Sequence, residues 1–257
     1  MLYQTISLQK VDHVMVVNLK DTVNYQMGMA RLSDELTELL TEITWDEEVR
    51  VIVITGSGEK SFCLGAGLNG TFSGTGEKEG RRFLSVAEPI AQIDRPVIAA
   101  IQGDAIGQGL EMVLACDIRI AGETSRFGLT QIKEGLIPWD GGTQRLVRLV
   151  ERGRALEMVL TGELIDAKEA YRIGLVNQVV PPKELIASVM KMAQEMASKG
   201  PIALRYTKEA VYKGMDLTLK QGLQLEADLY LLIHTTKDRT EGIKAFQEKR
   251  VPKFEGK

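Results

Sequence analysis

The sequence predicts an α/β fold whose first half alternates strands and helices around a parallel or mixed sheet and whose last third is helical. Three observations carry this. Val51-Ile52-Val53-Ile54-Thr55 is a continuous β-branched run of the kind covered on both faces of a sheet. Further strand-like runs at residues 13–19, 96–101 and 117–121 are separated from their neighbours by segments with helical patterning. After Arg152, only residues 176–180 read as strand.

Taken in order, the strand at 13–19 and a loop over 21–25 lead to a helix from about Met29 to Ile43, on which Leu32, Leu36, Leu39 and Leu40 share one face. Residues 56–76 form a long glycine-rich loop, and a helical stretch follows around 81–93. The buried strand at 96–101 then turns at Gly107 and Gly109 into the apolar helix Leu110-Glu111-Met112-Val113-Leu114-Ala115. A strand at 117–121 is followed by a second loop, 127–142. In the tail, Leu185, Val189, Met192, Ala193 and Met196 recur at helical spacing, as do Leu219, Leu223, Leu225 and Leu229, with Pro181, Pro182 and Pro201 at helix starts. Their apolar faces need a second surface, on the same subunit or on a neighbour.

Composition narrows the function. A chain of 257 residues with 44% hydrophobic content can bury a sizeable core. Its net charge of -3, with acids and bases interspersed, argues against nucleic acid as a partner. Cys63 and Cys116 sit far apart in apolar surroundings and are expected as buried free thiols. His13 and His234 are the only histidines, and neither has ligand spacing, so no metal is expected. No signal peptide or membrane-spanning run is recognisable, which makes the cytoplasm the expected location.

Among the glycine-bearing loops, residues 56–61 match neither the P-loop nor the dinucleotide fingerprint. The segment around Gly107 and Gly109 offers main-chain N–H groups at a helix start, a place suited to an anion or oxyanion. Glu111 is the oddity in that helix, because a carboxylate among apolar neighbours is costly to bury unless it is used or satisfied. Two readings stand on the residues alone: an acid favoured by the first turn of a helix, or a catalytic group.

The loop Phe62-Cys63-Leu64-Gly65-Ala66-Gly67-Leu68, residues 107–117, Ile137-Pro138-Trp139-Asp140-Gly141-Gly142-Thr143-Gln144-Arg145-Leu146, residues 167–180 and the ending 242–250 occur in one order. In these five stretches the chain resembles the enoyl-CoA hydratase/isomerase, or crotonase, superfamily. The resemblance implies a spiral of ββα repeats over residues 1–195 and a helical oligomerisation region over 196–257. It implies homotrimers or dimers of trimers, and an acyl-CoA thioester as substrate. Coenzyme A then arrives as part of that substrate, with no separate cofactor, and the setting is fatty acid or aromatic acid metabolism. By the family pattern, the thioester oxygen is held by the N–H groups of Ala66 and Gln108, the second of which is normally glycine. Leu64, Ala66, Phe246 and Lys249 fall at positions that meet coenzyme A; for Lys249, a solvated helix charge is the competing reading.

Glu111 matches the first of two glutamates that hydratases of this family use to hold and activate water. The second position is Gln131, whose amide cannot exchange a proton at neutral pH as a carboxylate does. Asp140 stands where ordinary hydratases have a small residue, and some relatives place a catalytic aspartate there. The expectation is an acid/base pair of Glu111 and Asp140 performing hydration or double-bond isomerisation, with Gln131 orienting water. The plainer alternative is that Asp140 caps the helix starting near Gly142. Trp139 beside it is either a flat wall for the acyl group or core filler. Hydrolysis or halide displacement through Asp140, and a catalytically impaired CoA-binding protein, remain as alternatives.

Overall fold

The computed structural model describes residues 3–20, 26–56, 58, 61–65, 72–73, 82–83 and 85–257. The chain opens with a hairpin of β1 (Ile6–Val11) and β2 (Val14–Leu19). Asp12 turns it with φ at 52°, a conformation uncommon for any residue with a side chain. Helix α1 (Gln26–Trp45) crosses to β3 (Val51–Gly56), which runs on into β4 (Ser61–Cys63). The short antiparallel pair β5 (Phe72–Ser73) and β6 (Arg82–Phe83) precedes α2 (Ala87–Ala91). Then come β7 (Val97–Ile101), β8 (Asp104–Ile106), α3 (Gln108–Ala115), β9 (Ile118–Gly122) and β10 (Arg126–Gly128). A 3-10 turn (Thr130–Glu134) leads to α4 (Gly142–Leu149) and α5 (Arg152–Thr161). After β11 (Ile165–Asp166), α6 (Ala167–Arg172) and β12 (Gln178–Val180), the chain ends in α7 (Leu185–Ala197), α8 (Pro201–Met215), α9 (Leu219–Ile233) and α10 (Lys237–Gln247).

The larger sheet has the order β1-β2-β3-β7-β9-β12, with β1 antiparallel and every later pair parallel. The smaller sheet, β11-β10-β8-β4, has a parallel centre and an antiparallel edge at β11. Each of β3, β7 and β9 continues into the smaller sheet as β4, β8 and β10, and a helix follows each pair. Both sheets advance one place per repeat, which makes a spiral of ββα units. This is the crotonase-like α/β architecture expected from the resemblance.

Alternation along the central strands divides the core in two. Ile52, Ile54, Ala99 and Ile101 face α1 and α3, while Val51, Val53, Ile98 and Ala100 face Leu185, Val189, Ala193 and Ala197 of α7. Packing thins beyond α7: no described residue of α8 is buried, and Leu229 alone is in α9. Helix α8 is tied down by Lys208, whose Nζ donates to Asp117 Oδ2 at 2.7 Å and to the Arg95 carbonyl at 2.9 Å. Arg50, just ahead of β3, donates to the carbonyls of Ala197 and Phe254.

The structure differs from the element-by-element sequence reading at several short elements: β4 and β5 lie within the stretch read as the loop 56–76, β10 runs into the loop 127–142 and a 3-10 turn lies within it, and β11 is a second strand after Arg152. The smaller sheet follows from the ββα repeats that the resemblance implies, but the residue pattern alone did not place its strands, because β4, β8 and β10 are three residues each and too short to show a period. Strand β1 was also missed, since as an edge it is largely solvated and polar. The helix expected around 81–93 is shorter, with Arg82 and Phe83 in a strand and only Ala87–Ala91 helical. Both cysteines are buried and free, as expected.

Candidate active site

Two close approaches of main chain build the site. Gly109, in the first turn of α3, lies against β4 so tightly that a Cβ there would stand 1.9 Å from the Cys63 carbonyl oxygen. Gly65, at φ +73°, leaves only 3.0 Å between such a Cβ and the Gln108 nitrogen. Glycine at both positions brings the bend after β4 against the start of α3. Of the two expected oxyanion donors, Gln108 is the first residue of α3 and is buried, whereas Ala66 lies outside the described residues.

Glu111 is fully buried one turn into α3. Its Oε1 accepts from the backbone N–H of Asp140 at 2.8 Å and of Gly142 at 2.9 Å. Its Oε2 accepts from Gln131 Nε2 at 3.1 Å. Gly142 has to be small for this, because a Cβ there would lie 2.9 Å from Oε1. Burial pushes the Glu111 carboxyl up to about 7, helped by the nearby Asp140 charge and opposed by the Gly142 and Asp140 amides and by Arg145. Such a group exchanges protons near neutrality in either direction. The other amide atom of Gln131, Oε1, is buried and has no hydrogen-bond partner among the described residues.

Asp140 is brought beside Glu111, but its carboxylate is engaged elsewhere. Oδ1 accepts from the Ser85 hydroxyl at 2.5 Å, and Oδ2 accepts from the amides of Val86 and Ala87 at 2.8 and 3.0 Å. The helix it caps is therefore α2 and not α4, where Gly141 is the cap residue and no side chain contributes. Burial raises its pKa, against the Ser85 hydroxyl, the two amides and Arg145. Arg145 Nη1 donates to the Asp140 carbonyl at 2.9 Å, and its Nη2 reaches Glu88 Oε2 at 3.2 Å. Trp139 is half-buried in the same turn.

Ser85 and Arg145 were not among the expected site residues. A signal for Ser85 was present: Ser85-x-x-Glu88 has the spacing of a helix-starting capping box, and Glu88 N–H does donate to Ser85 Oγ. Arg145 belongs to a stretch that had been matched only as a motif. The expected CoA contacts are less gathered. Leu64 is partly exposed next to Gly65, while Phe246, near the end of α10, is 86% exposed. Lys249 is exposed just beyond it with φ at 54°. A cleft of 870 Å³ lies between α8 and the far end of α3, lined by Leu114, Ile118, Leu149, Leu204 and Val211 among others; Glu111 does not line it.

The chain is similar to known proteins over nearly its whole length. A family model for enoyl-CoA hydratase/isomerase matches residues 10–257. The (E)-benzylidenesuccinyl-CoA hydratase of Thauera aromatica is 40% identical, over 98% of this chain and 99% of its own. The crotonyl-CoA hydratase of Syntrophomonas wolfei is 37% identical, over 99% of each. The crystal structure of an enoyl-CoA hydratase from Bacillus anthracis superposes with a TM-score of 0.90 at 41% identity, covering 99% of this chain and 100% of that one.

Proposed function

The chain belongs to the enoyl-CoA hydratase/isomerase family, and from that premise we propose that it adds water reversibly across the double bond of an enoyl-CoA, with Glu111 as the acid–base group. The amides of Ala66 and Gln108 hold the thioester oxygen. Water sits between Glu111 Oε2 and Gln131 Oε1 and donates to both. Its oxygen bonds to Cβ while its proton passes to Glu111, and the π electrons move onto the thioester oxygen as an enolate. Glu111 then returns that proton to Cα as the carbonyl re-forms. One water is consumed, and no second carboxylate is required. The observation that carries this reading is the buried Gln131 Oε1, unpartnered among the described residues, next to a carboxylate raised to about 7.

Trp139 lines the acyl pocket with a flat apolar surface suited to a ring or an extended unsaturated chain. Leu64, Ala66, Phe246 and Lys249 contact coenzyme A, which is part of the substrate; no separate cofactor enters the reaction. Phe246 and Lys249 do so from an adjoining subunit or from the C-terminal region of the same one, in a homotrimer or a dimer of trimers. The exposed apolar side chains of α8 and α9, including Val211, Met215, Leu219 and Leu223, support such an assembly.

The test is product analysis in heavy-oxygen water with crotonyl-CoA and an aryl-substituted enoyl-CoA. Hydration places one heavy oxygen on C3. A shifted double bond without added oxygen identifies isomerisation, and release of free coenzyme A identifies hydrolysis. For hydration by a single carboxylate, kcat/KM falls with one limb below about pH 7, the value that burial gives Glu111. A bell with a second limb in the neutral range indicates another titrating partner.

A further inference from the structure

We propose that Asp140 is a positioning residue and not an acid–base group: its side chain clamps the 138–142 turn onto the start of α2, so that the turn's own amides hold Glu111 in its working orientation. This rests on the reading of Glu111 as the acid–base group. Three donors, the Ser85 hydroxyl and the amides of Val86 and Ala87, occupy the two carboxylate oxygens. Ser85 is itself fixed from α1, because Ser33 Oγ donates to its carbonyl at 2.8 Å, and from α2, because Glu88 N–H donates to its hydroxyl at 2.9 Å. The main chain of Asp140 faces the other way in function. Its N–H donates to Glu111 Oε1 at 2.8 Å, and its carbonyl accepts from Arg145 at 2.9 Å. One residue thus joins α2 through its side chain to the acid–base carboxylate through its backbone. Gly141, at φ 103°, and Gly142 give the turn the shape this needs.

The clamp also carries charge. Asp140 is the anion acting on Glu111 and Arg145 the cation, with Glu88 of α2 paired to Arg145. Asp104 of β8 is paired with Arg126, and Lys133 of the 3-10 turn with Glu163. An asparagine at 140 can keep the clamp: Oδ1 accepts from Val86 and Ala87, and Nδ2 donates to the Ser85 oxygen, whose own proton then turns to another acceptor. It removes the charge and the ability to transfer a proton, and reverses that one hydrogen bond.

Asp140→Asn, Asp140→Ala and Ser85→Ala are therefore compared with Glu111→Gln in two measurements. The first is kcat/KM against pH. The second is a carboxyl-carbon NMR titration of Glu111 in the free protein, assigned by its disappearance in Glu111→Gln and readable whether or not any enoyl-CoA is turned over. Asp140→Asn is expected to stay within about tenfold of the parent, whereas loss of an acid–base group costs about 100-fold or more. Its Glu111 titration moves to lower pH, because the neighbouring anion is gone. Asp140→Ala loses about 100-fold through misplacement of Glu111, and Ser85→Ala moves in the same direction by less. Asp140→Asn as inactive as Glu111→Gln overturns the proposal. So does a Glu111 titration unchanged in both Asp140 variants. Absence of hydration by the parent, with the titrations behaving as stated, overturns the reaction but not the clamp.

Discussion

Burying Glu111 ties stability to protons. Its carboxyl titrates at about 7 in the folded protein against 4.5 for an unperturbed group, so between those values the folded state binds more protons than the unfolded state. Stability therefore falls as pH rises through this window, by about 3 kcal/mol once both states are ionised. Glu111→Gln removes the burden. The new amide oxygen still accepts from Asp140 and Gly142, and the Gln131 amide can turn its unpartnered oxygen toward the new donor. Urea unfolding should show the variant more stable than the parent at pH 8, by up to about 3 kcal/mol, with the difference vanishing toward pH 4.5. Equal stabilities at pH 8 would mean that the carboxylate is not held against its preference. Turnover should drop by about 100- to 10,000-fold. Glu111 was legible from the residues alone, since a carboxylate in an apolar helix stands out, whereas Gln131 and Asp140 were legible only against the pattern of the family that the chain resembles. The direction of each hydrogen bond was not legible. Asp140 meets Val86 and Ala87 more than fifty positions upstream, and nothing local to either segment specifies that pairing.

At the scale of single elements, the same logic separates two helical glycines. Gly109→Ala forces a methyl group to within 1.9 Å of a backbone oxygen of β4, and backbone cannot rotate aside. The expected loss is about 1–3 kcal/mol or more, together with reduced kcat, since α3 must withdraw from Gly65 and carry Gln108 and Glu111 with it. Gly153→Ala, near the start of α5, meets nothing within 4 Å and should gain about 0.4–1 kcal/mol by restricting the unfolded chain. Differential scanning calorimetry of the two variants reads both signs. Length explains which elements the sequence revealed. Strands β3 and β7 are five or six residues of near-continuous burial and announce themselves. The three-residue strands of the smaller sheet exist because their predecessors aim them there.

For the whole molecule, the distribution of apolar surface is the open ledger. Leu223 is 55% exposed in the single chain, where an acidic substitution should change stability by no more than about 0.5 kcal/mol. If α9 is instead buried between subunits, Leu223→Asp dissociates the assembly, and sedimentation velocity will show a smaller species. A monomeric parent, or an unchanged sedimentation coefficient for the variant, removes α9 from the interface. The ββα spiral itself emerged from the resemblance more than from periodicity, because which strand lies beside which is settled only when the repeats stack.

The hairpin turned at Asp12 has a kinetic consequence for a chain built this way. In the larger sheet it joins the one pair of described strands connected directly, while β3, β7, β9 and β12 each wait for an intervening crossover before finding a neighbour. Closing two residues is quick, and closing a crossover is slow. The first ribbon is thus set to be ready early, as an edge on which the later strands can be laid down one after another. The left-handed backbone of Asp12 is then a matter of tempo: a residue that resists it would delay the start of assembly more than it would disturb the finished enzyme.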